Sequence, residues 1–313
     1  MKKLALTTAI LAATSIPAQA ETIGISIQNF DNMFQVLLRD GMEARAKELG
    51  LDVTVLDAKA NVETQLSQIQ NFIANGVDGI VLTVADSSIG SAISKAAADA
   101  GIPVAYVNIA PENVDQLPKN QAYVGSNEIE SGTLGAFEAC KLLRAAGKSN
   151  GANGYILQGS LVHEAAIQRT KDVRDILDDD MCKFINIDAT VVGDWSRVKA
   201  QDITTNWLST GSVPDVIFAN NDEMALGAIQ AMKAVGTNMN DVVVVGVDAT
   251  ADALTAMKAG DLDVTVFQNA NGQGGGGIDT VMKLIKGEKV ISPVFIPFEL
   301  VTPNNVDSYI SKN

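Results

Sequence analysis

Apolar residues follow two alternating rhythms along the chain. Short runs rich in β-branched residues, such as Val242-Val243-Val244-Val245, are followed by longer stretches in which apolar positions recur every three to four residues. The short runs predict strands at 22–27, 51–56, 79–84, 104–107, 122–124, 154–157, 184–187, 216–219, 242–247 and 264–267. The longer stretches predict helices at 34–49, 62–75, 89–100, 129–146, 165–177, 197–208, 223–235, 251–259 and 274–286. Gly50, Gly76, Gly101 ahead of Pro103, Gly236 and Gly260 punctuate the helices. The strand runs lack apolar–polar alternation, so they read as buried on both faces. Strand and helix in turn predict an α/β fold with parallel sheets covered on both sides. Ten strands exceed one comfortable open sheet, which points to two doubly wound parallel-sheet lobes side by side. With no Pro/Ser/Gly-rich linker between them, several short crossings forming a hinge are expected.

The first twenty residues break this pattern. Lys2 and Lys3 precede an apolar stretch over 4–16, and Ala18-Gln19-Ala20 is a small-residue cleavage site before Glu21. These features read as a signal peptide at 1–20 that takes the chain to the periplasm, where ATP, NAD and DNA are not expected partners. The stretch is short of the roughly 20 residues needed to span a bilayer. Of 313 residues, 293 remain once the leader is removed, enough for two domains. Net charge is −14, or −16 without the two leader lysines, and no basic stripe offsets it, which argues against nucleic acid as a partner. Cys140 and Cys182 are an even pair in a disulfide-permissive compartment; a bridge and two buried thiols both remain open.

In open parallel sheets, ligands bind beyond the carboxyl ends of the strands. The residues there are Gln28 to Phe34, Thr83 to Asp86, Asn108, Ser126, Gln158 to Ser160, Trp195, Asn221, Asp222, Asp248 and Gln268, with Arg169 one turn into a helix. Amides and carboxylates can pair with alternating hydroxyls, and a buried hydroxyl without a partner costs about 1–3 kcal/mol. Phe34 and Trp195 offer flat faces to the C–H faces of a ring. Together they read as a carbohydrate site. Asp and Asn after a strand are also ordinary helix caps, and Asp222 reads as one, ahead of the helix from Glu223. Trp195, between Asp194 and Ser196, reads as exposed at a loop–helix junction.

Other signals carry less. Gly272 to Gly277 fits GxGxxG, but only one strand-like stretch follows, so it reads as a close helix approach with a loose helix start. His163, the single histidine, stands beside Glu164 at a loop–helix junction, and no serine sits in a strand–turn–helix elbow, so no chemical role is expected of it. Asp178-Asp179-Asp180 lacks the spacing of a calcium loop. No catalytic residue, cofactor or metal is expected.

The segment from Phe218-Ala219-Asn220-Asn221-Asp222-Glu223 through Ala228, with Val245-Gly246-Val247-Asp248 and Gly101-Ile102-Pro103-Val104, resembles the ribose-type periplasmic sugar-binding proteins, the solute receptors of ABC importers. The resemblance covers the whole mature chain. It implies ring stacking by Phe34 and Trp195, and hydroxyl bonding by Asn32, Arg169, Asn221, Asp248 and Gln268. Asn108-Ile109 replaces the Asp-Arg pair of ribose binders, Gln35 replaces a second stacking Phe, and Val247 another aromatic. Tyr106-Val107-Asn108 and Val124-Gly125-Ser126-Asn127-Glu128 look more like the inositol and rhizopine binders. Asn108 joins the expected site, and the expected ligand is a cyclitol or related polyol. The resemblance further implies crossings near Ser126, Gln268 and Phe298, with lobes of 21–126 plus 269–298 and of 127–268 plus 299–313. It implies a monomer whose closed form meets ABC permease membrane subunits, and leaves a chemotaxis receptor open as a second partner. Two competing classes are an exported carbohydrate-active enzyme, which needs two cleft carboxylates where only Asp248 is firm, and a repressor-type regulator, whose DNA-reading helices would occupy the place of the leader.

Overall fold

The computed structural model describes residues 20–211 and 213–313; the expected leader, apart from Ala20, lies outside them. The first half of the chain alternates β1 (Thr22–Ile27), α1 (Met33–Leu49), β2 (Asp52–Asp57), α2 (Val62–Ala74), β3 (Gly79–Leu82), α3 (Gly90–Asp99), β4 (Val104–Val107) and β5 (Gln121–Gly125). With β11 (Val294–Phe295), these strands form a six-stranded parallel sheet in the order β11-β5-β4-β3-β1-β2. The absence of alternation has a direct cause. Val81, Ala105 and Val107 pack with Leu38, Met42 and Ile278 on one face, while Ile80, Leu82, Val104 and Tyr106 pack with Ile69, Phe72 and Ile93 on the other. Side chains alternate in direction, and both directions are core.

A second sheet repeats the plan. It is built from β6 (Ala152–Gln158), β7 (Ile185–Val192), β8 (Val216–Ala219) and β9 (Val243–Val245), in the order β7-β6-β8-β9. Helices α4 (Glu128–Ala145) and α5 (Glu164–Leu177) pack on one face with Phe218, while α6 (Arg197–Ser209), α7 (Asp222–Ala234) and α8 (Ala251–Ala259) pack on the other with Ile217 and Val244. A short antiparallel pair, β10 (Thr265–Phe267) with β12 (Glu299–Val301), adjoins β9 through bridges at Val245–Val264 and Asp248–Phe267. Cys140 of α4 and Cys182 beyond α5 form a disulfide with Cα atoms 5.6 Å apart. The last helix, α9 (Ala270–Ile285), returns to the first sheet, packing on α1 and on β3, β4 and β5. The chain thus passes between the two sheets at three places: after β5, after β10, and between β11 and β12.

Besides shifts of one or two residues at other element ends, four features differ from expectation or sharpen it. β7 runs five residues further than 184–187, to Val192, because it is an edge strand whose alternating exposure dilutes the apolar run. β9 is shorter than 242–247, since the chain turns away at Gly246 towards Asp248. The region after α9 holds two short strands, not one. The glycine run lies inside α9, which starts firmly at Ala270, where the Asn269 side chain accepts from the Gly272 amide at 2.7 Å. The close approach is as expected: a Cβ at Gly274 would stand 2.5 Å from the Leu38 carbonyl of α1. Among the described residues, no helix is long and apolar enough to cross a membrane.

Candidate ligand-binding site

Segments following the strands of both sheets meet around one small cavity. All eight residues singled out from the sequence line it. Asn32, Phe34 and Asn108 come from the side of the first sheet, Arg169, Trp195, Asn221 and Asp248 from the side of the second, and Gln268 from the crossing after β10. Gln28, Gln35 and His163 complete much of the wall. Gln35 and His163 had been passed over, the first as a mere replacement for a family Phe and the second as a residue without a role.

Helix starts place several of these side chains. Asn32 caps α1, its Oδ1 accepting from the amides of Phe34 and Gln35 at 3.0 and 3.3 Å. Asn221 caps α7 by accepting from the Met224 amide at 3.0 Å. Each spends its oxygen on the backbone; Asn32 keeps its Nδ2, while Asn221 Nδ2 donates one N–H to the Trp195 carbonyl at 3.4 Å and keeps the other. Asp222 is therefore not the cap, contrary to expectation. Its carboxylate is fully buried and accepts from the Thr250 amide at 2.8 Å and from the Thr265 hydroxyl at 2.7 Å. Burial raises its pKa to about 6 against those bonds. It ties the β9–α8 turn to β10 and so helps fix the backbone at Asp248.

A relay of amides orients the opposite wall. Gln35 Nε2 donates to Asn108 Oδ1 at 2.9 Å, Asn108 Nδ2 donates to Gln273 Oε1 at 3.2 Å, and Gln273 Nε2 donates to Ser126 Oγ at 2.8 Å. Asn108 has thus committed its Oδ1 and one N–H to the protein and keeps the other N–H. The free end of the relay is Gln35 Oε1, which is buried with no protein partner. Sequence offers one signal for Gln35: it lies three residues after the capping Asn32, on the same edge of the helix.

Arg169 is held more firmly than its expected role requires. Its guanidinium donates to Glu128 Oε2 and Oε1 at 2.7 and 3.2 Å, to the Asn220 carbonyl at 2.8 Å and to Gln268 Oε1 at 3.3 Å. Burial opposes its charge, but the adjacent Glu128 carboxylate outweighs that and keeps it protonated. Four bonds leave one of the five N–H groups uncommitted. Gln268 Nε2, like Gln35 Oε1, is buried without a partner. The Asp248 carboxyl is pushed well above the usual carboxylate range, first by burial and then by Asp222, with Arg169 pulling it back.

The aromatic pair occupies facing walls. Phe34 is buried against the first core and lines the cavity. Trp195 is half-buried, not exposed as expected, and lies across Gly159, where a Cβ would come within 2.3 Å of the indole. Its Nε1 donates to His163 Nδ1 at 3.0 Å, and His163 Nε2 bonds the Ala85 carbonyl at 3.1 Å. The Arg169 guanidinium lies 5.7 Å from the Trp195 ring centroid. Three site residues have left-handed backbones: φ is 66° at Asn108, 64° at Trp195 and 126° at Asp248. Such conformations cost about 1–3 kcal/mol for non-glycine residues, and they concentrate where side-chain placement is at a premium. Asn313 steadies the last of these, donating to the Asp248 and Gln268 carbonyls at 3.3 and 2.9 Å.

Chemically, the cavity offers a buried acceptor, a buried donor, a carboxyl, an arginine and two aromatic faces. Among the described residues, no group of three or more His, Cys, Asp or Glu side chains could hold a metal ion.

A family model described as a periplasmic binding protein domain matches residues 23–289. A putative rhizopine-binding protein of Rhizobium meliloti is 51% identical over 100% of both chains. A ribose import binding protein of Escherichia coli (strain K12) is 32% identical over 96% of this chain and 98% of its own. Among solved structures, an ABC transporter solute binding protein from Bacillus halodurans C-125 with bound myo-inositol matches with a TM-score of 0.86 and 39% identity, covering 94% of this chain and 98% of that one. The Caulobacter myo-inositol binding protein bound to myo-inositol matches with a TM-score of 0.84 and 26% identity, covering 95% and 98%. These relatives are binding proteins, not enzymes.

Proposed function

Because the chain belongs to the periplasmic binding protein domain family, we propose that it is the solute receptor of an ABC importer and captures a cyclitol or related polyol by closing two lobes around it. The observation that carries this reading is the pair of unpartnered amide atoms, Gln35 Oε1 and Gln268 Nε2, buried in the walls of one cavity. Each costs about 1–3 kcal/mol while unmet. A hydroxyl both donates and accepts, so a ring carrying several can satisfy an acceptor on one wall and a donor on the other. Phe34 and Trp195 then cover the two ring faces, and Asn32, Asn221, Asp248 and the last N–H of Arg169 take further hydroxyls.

A cyclitol suits the site better than an aldopentose. Asn108 is a neutral amide held in the relay and Ile109 lines the cavity with carbon, so the place of the ribose binders' Asp-Arg pair carries no charge. The R. meliloti and B. halodurans relatives point the same way. In this reading the lobes are 21–126 plus 269–298 and 127–268 plus 299–313, and the three crossings form the hinge. The leader is cleaved before Glu21 on export, and the closed monomer is the form presented to the permease. Calorimetric titration of the mature protein with myo-inositol, ribose and xylitol tests the proposal. Myo-inositol should bind with micromolar affinity, about −8 kcal/mol, and ribose at least tenfold more weakly. Absence of binding by all three would refute it.

A further inference from the structure

His163 bridges three elements. It is the last residue before α5, it is 3% exposed, and its two ring nitrogens face opposite ways. Nδ1 meets the indole Nε1–H of Trp195, from the segment after β7, at 3.0 Å. Nε2 meets the carbonyl of Ala85, from the segment after β3 of the other sheet, at 3.1 Å. A second bond joins the same two segments, from the Ser87 amide to the Val162 carbonyl at 3.1 Å. The loop over 160–163 therefore latches one sheet's strand ends to the other's beside the cavity.

The partners dictate the protonation state. An indole N–H can only donate, so Nδ1 must be the acceptor and carry no proton. A carbonyl can only accept, so Nε2 must carry one. The ring that satisfies both is the neutral Nε2–H tautomer. A second proton would have to go onto Nδ1, where it would face the indole N–H donor to donor. We propose that His163 is a positioning residue of the site: it fixes the Trp195 ring and fastens it to the opposite lobe at Ala85, so that the latched cleft admits only the neutral imidazole and ligand binding expels a proton in acidic solution.

The surroundings agree. Burial pulls the imidazole below its ordinary value, more strongly than the Ala85 bond and the carboxylates of Asp86 and Asp194 pull it up. Asp194 is itself bonded to Lys199 at 2.7 Å, Glu164 follows His163 on α5, and Arg169 lies over the Trp195 ring. Once the latch parts, the loop over 160–163 loses its cover, the imidazole and the indole are free to turn apart, and the solvated ring regains an ordinary pKa, about 6.5. Affinity is therefore full above that value and falls as pH drops below it, by up to about tenfold per pH unit, as far as the depressed value of the latched ring.

The proposal rests on the polyol-receptor reading, and one calorimetric series separates the two. Myo-inositol is titrated into the mature protein between pH 5 and pH 7.5, in buffers of differing ionisation enthalpy, with ribose and xylitol as alternatives. His163 is the chain's single histidine, which narrows the source of a proton released near neutrality. The wild type should release a growing fraction of one proton per ligand below pH 6.5 and almost none at pH 7.5. His163→Gln keeps a donor for Ala85 and should lose the proton that the imidazole releases, leaving only the exchange that the cavity carboxyl of Asp248 contributes. His163→Ala should bind at least tenfold more weakly at pH 7.5. Trp195→Phe keeps a ring but frees Nδ1 to accept a proton, and should lose most of the release even though His163 is present. Binding by the wild type with no proton exchange at pH 5.5, or release undiminished in His163→Gln, overturns the role of His163 and leaves the receptor reading standing. Absence of binding by all three ligands overturns both.

Discussion

Glu128 accepts two hydrogen bonds from Arg169, at 2.7 and 3.2 Å, with both side chains more than nine-tenths buried. Glu128 opens α4, just past the first passage between the sheets, and Arg169 lies on α5 with the cavity beside it. The pair therefore fixes which way the guanidinium faces and, through it, Gln268. Removing Glu128 would leave a buried charge without its counterion, a loss of about 3–5 kcal/mol. Glu128→Ala should lower unfolding stability by that amount in urea titrations. Glu128→Gln, which keeps an acceptor, should lose less.

Trp195 lines the cavity and packs, half-buried, on the edge of the second core, so its truncation tells more on binding than on folding. Trp195→Ala should weaken polyol binding at least tenfold by calorimetry, with only a small change in melting temperature. Gly159→Ala should do the same from beneath, because the new methyl would occupy the space of the indole.

Asp248 sets site against stability. Its carboxyl is raised in the folded protein by burial. The favourable contribution of the protonated acid is complete below the unfolded value, about 3.9, and is lost as pH rises through the folded value. Asp248→Asn should therefore unfold at a higher temperature than wild type in the ligand-free state, by a margin that grows as pH is raised from about 4 to 7. Its affinity for the polyol should fall at least tenfold. Thermal scans across that range, paired with titrations at pH 7.5, check both halves.

The Cys140–Cys182 bridge closes a loop with a sequence separation of 42. Chain-entropy arguments give such a loop about 4 kcal/mol of stabilisation. The bridge lies in the core between α4 and α5, away from the cavity walls. Cys140→Ser with Cys182→Ser should unfold at a markedly lower urea concentration while its affinity at 25 °C stays within twofold of wild type.

Much of this was legible in the chain. Runs buried on both faces, such as those of β3 and β8, are a direct trace of helices on either side. The eight expected site residues could be found because each follows a strand, opens a helix or lies in its second turn, positions that topology alone brings together. What escaped depends on partners distant in sequence. Gln35 gains its meaning from Asn108, 73 residues away, and His163 from Ala85, 78 residues away. Locally, only the spacing from Asn32 marks Gln35, and nothing marks His163. β11 and β12 have only two and three residues and are defined by their pairing with β5 and β10. Asp222 was misread because a carboxylate before a helix usually caps it; here Asn221 does so, and Asp222 is drawn inward by two threonines.

The bare face of Gly274 lets α9 lie backbone to backbone against α1. Helix α9 begins two residues after Gln268, and α1 begins with Asn32, Phe34 and Gln35 gathered at its tip. A side chain at Gly274 would therefore wedge the two helices apart and carry the displacement towards the tip of α1.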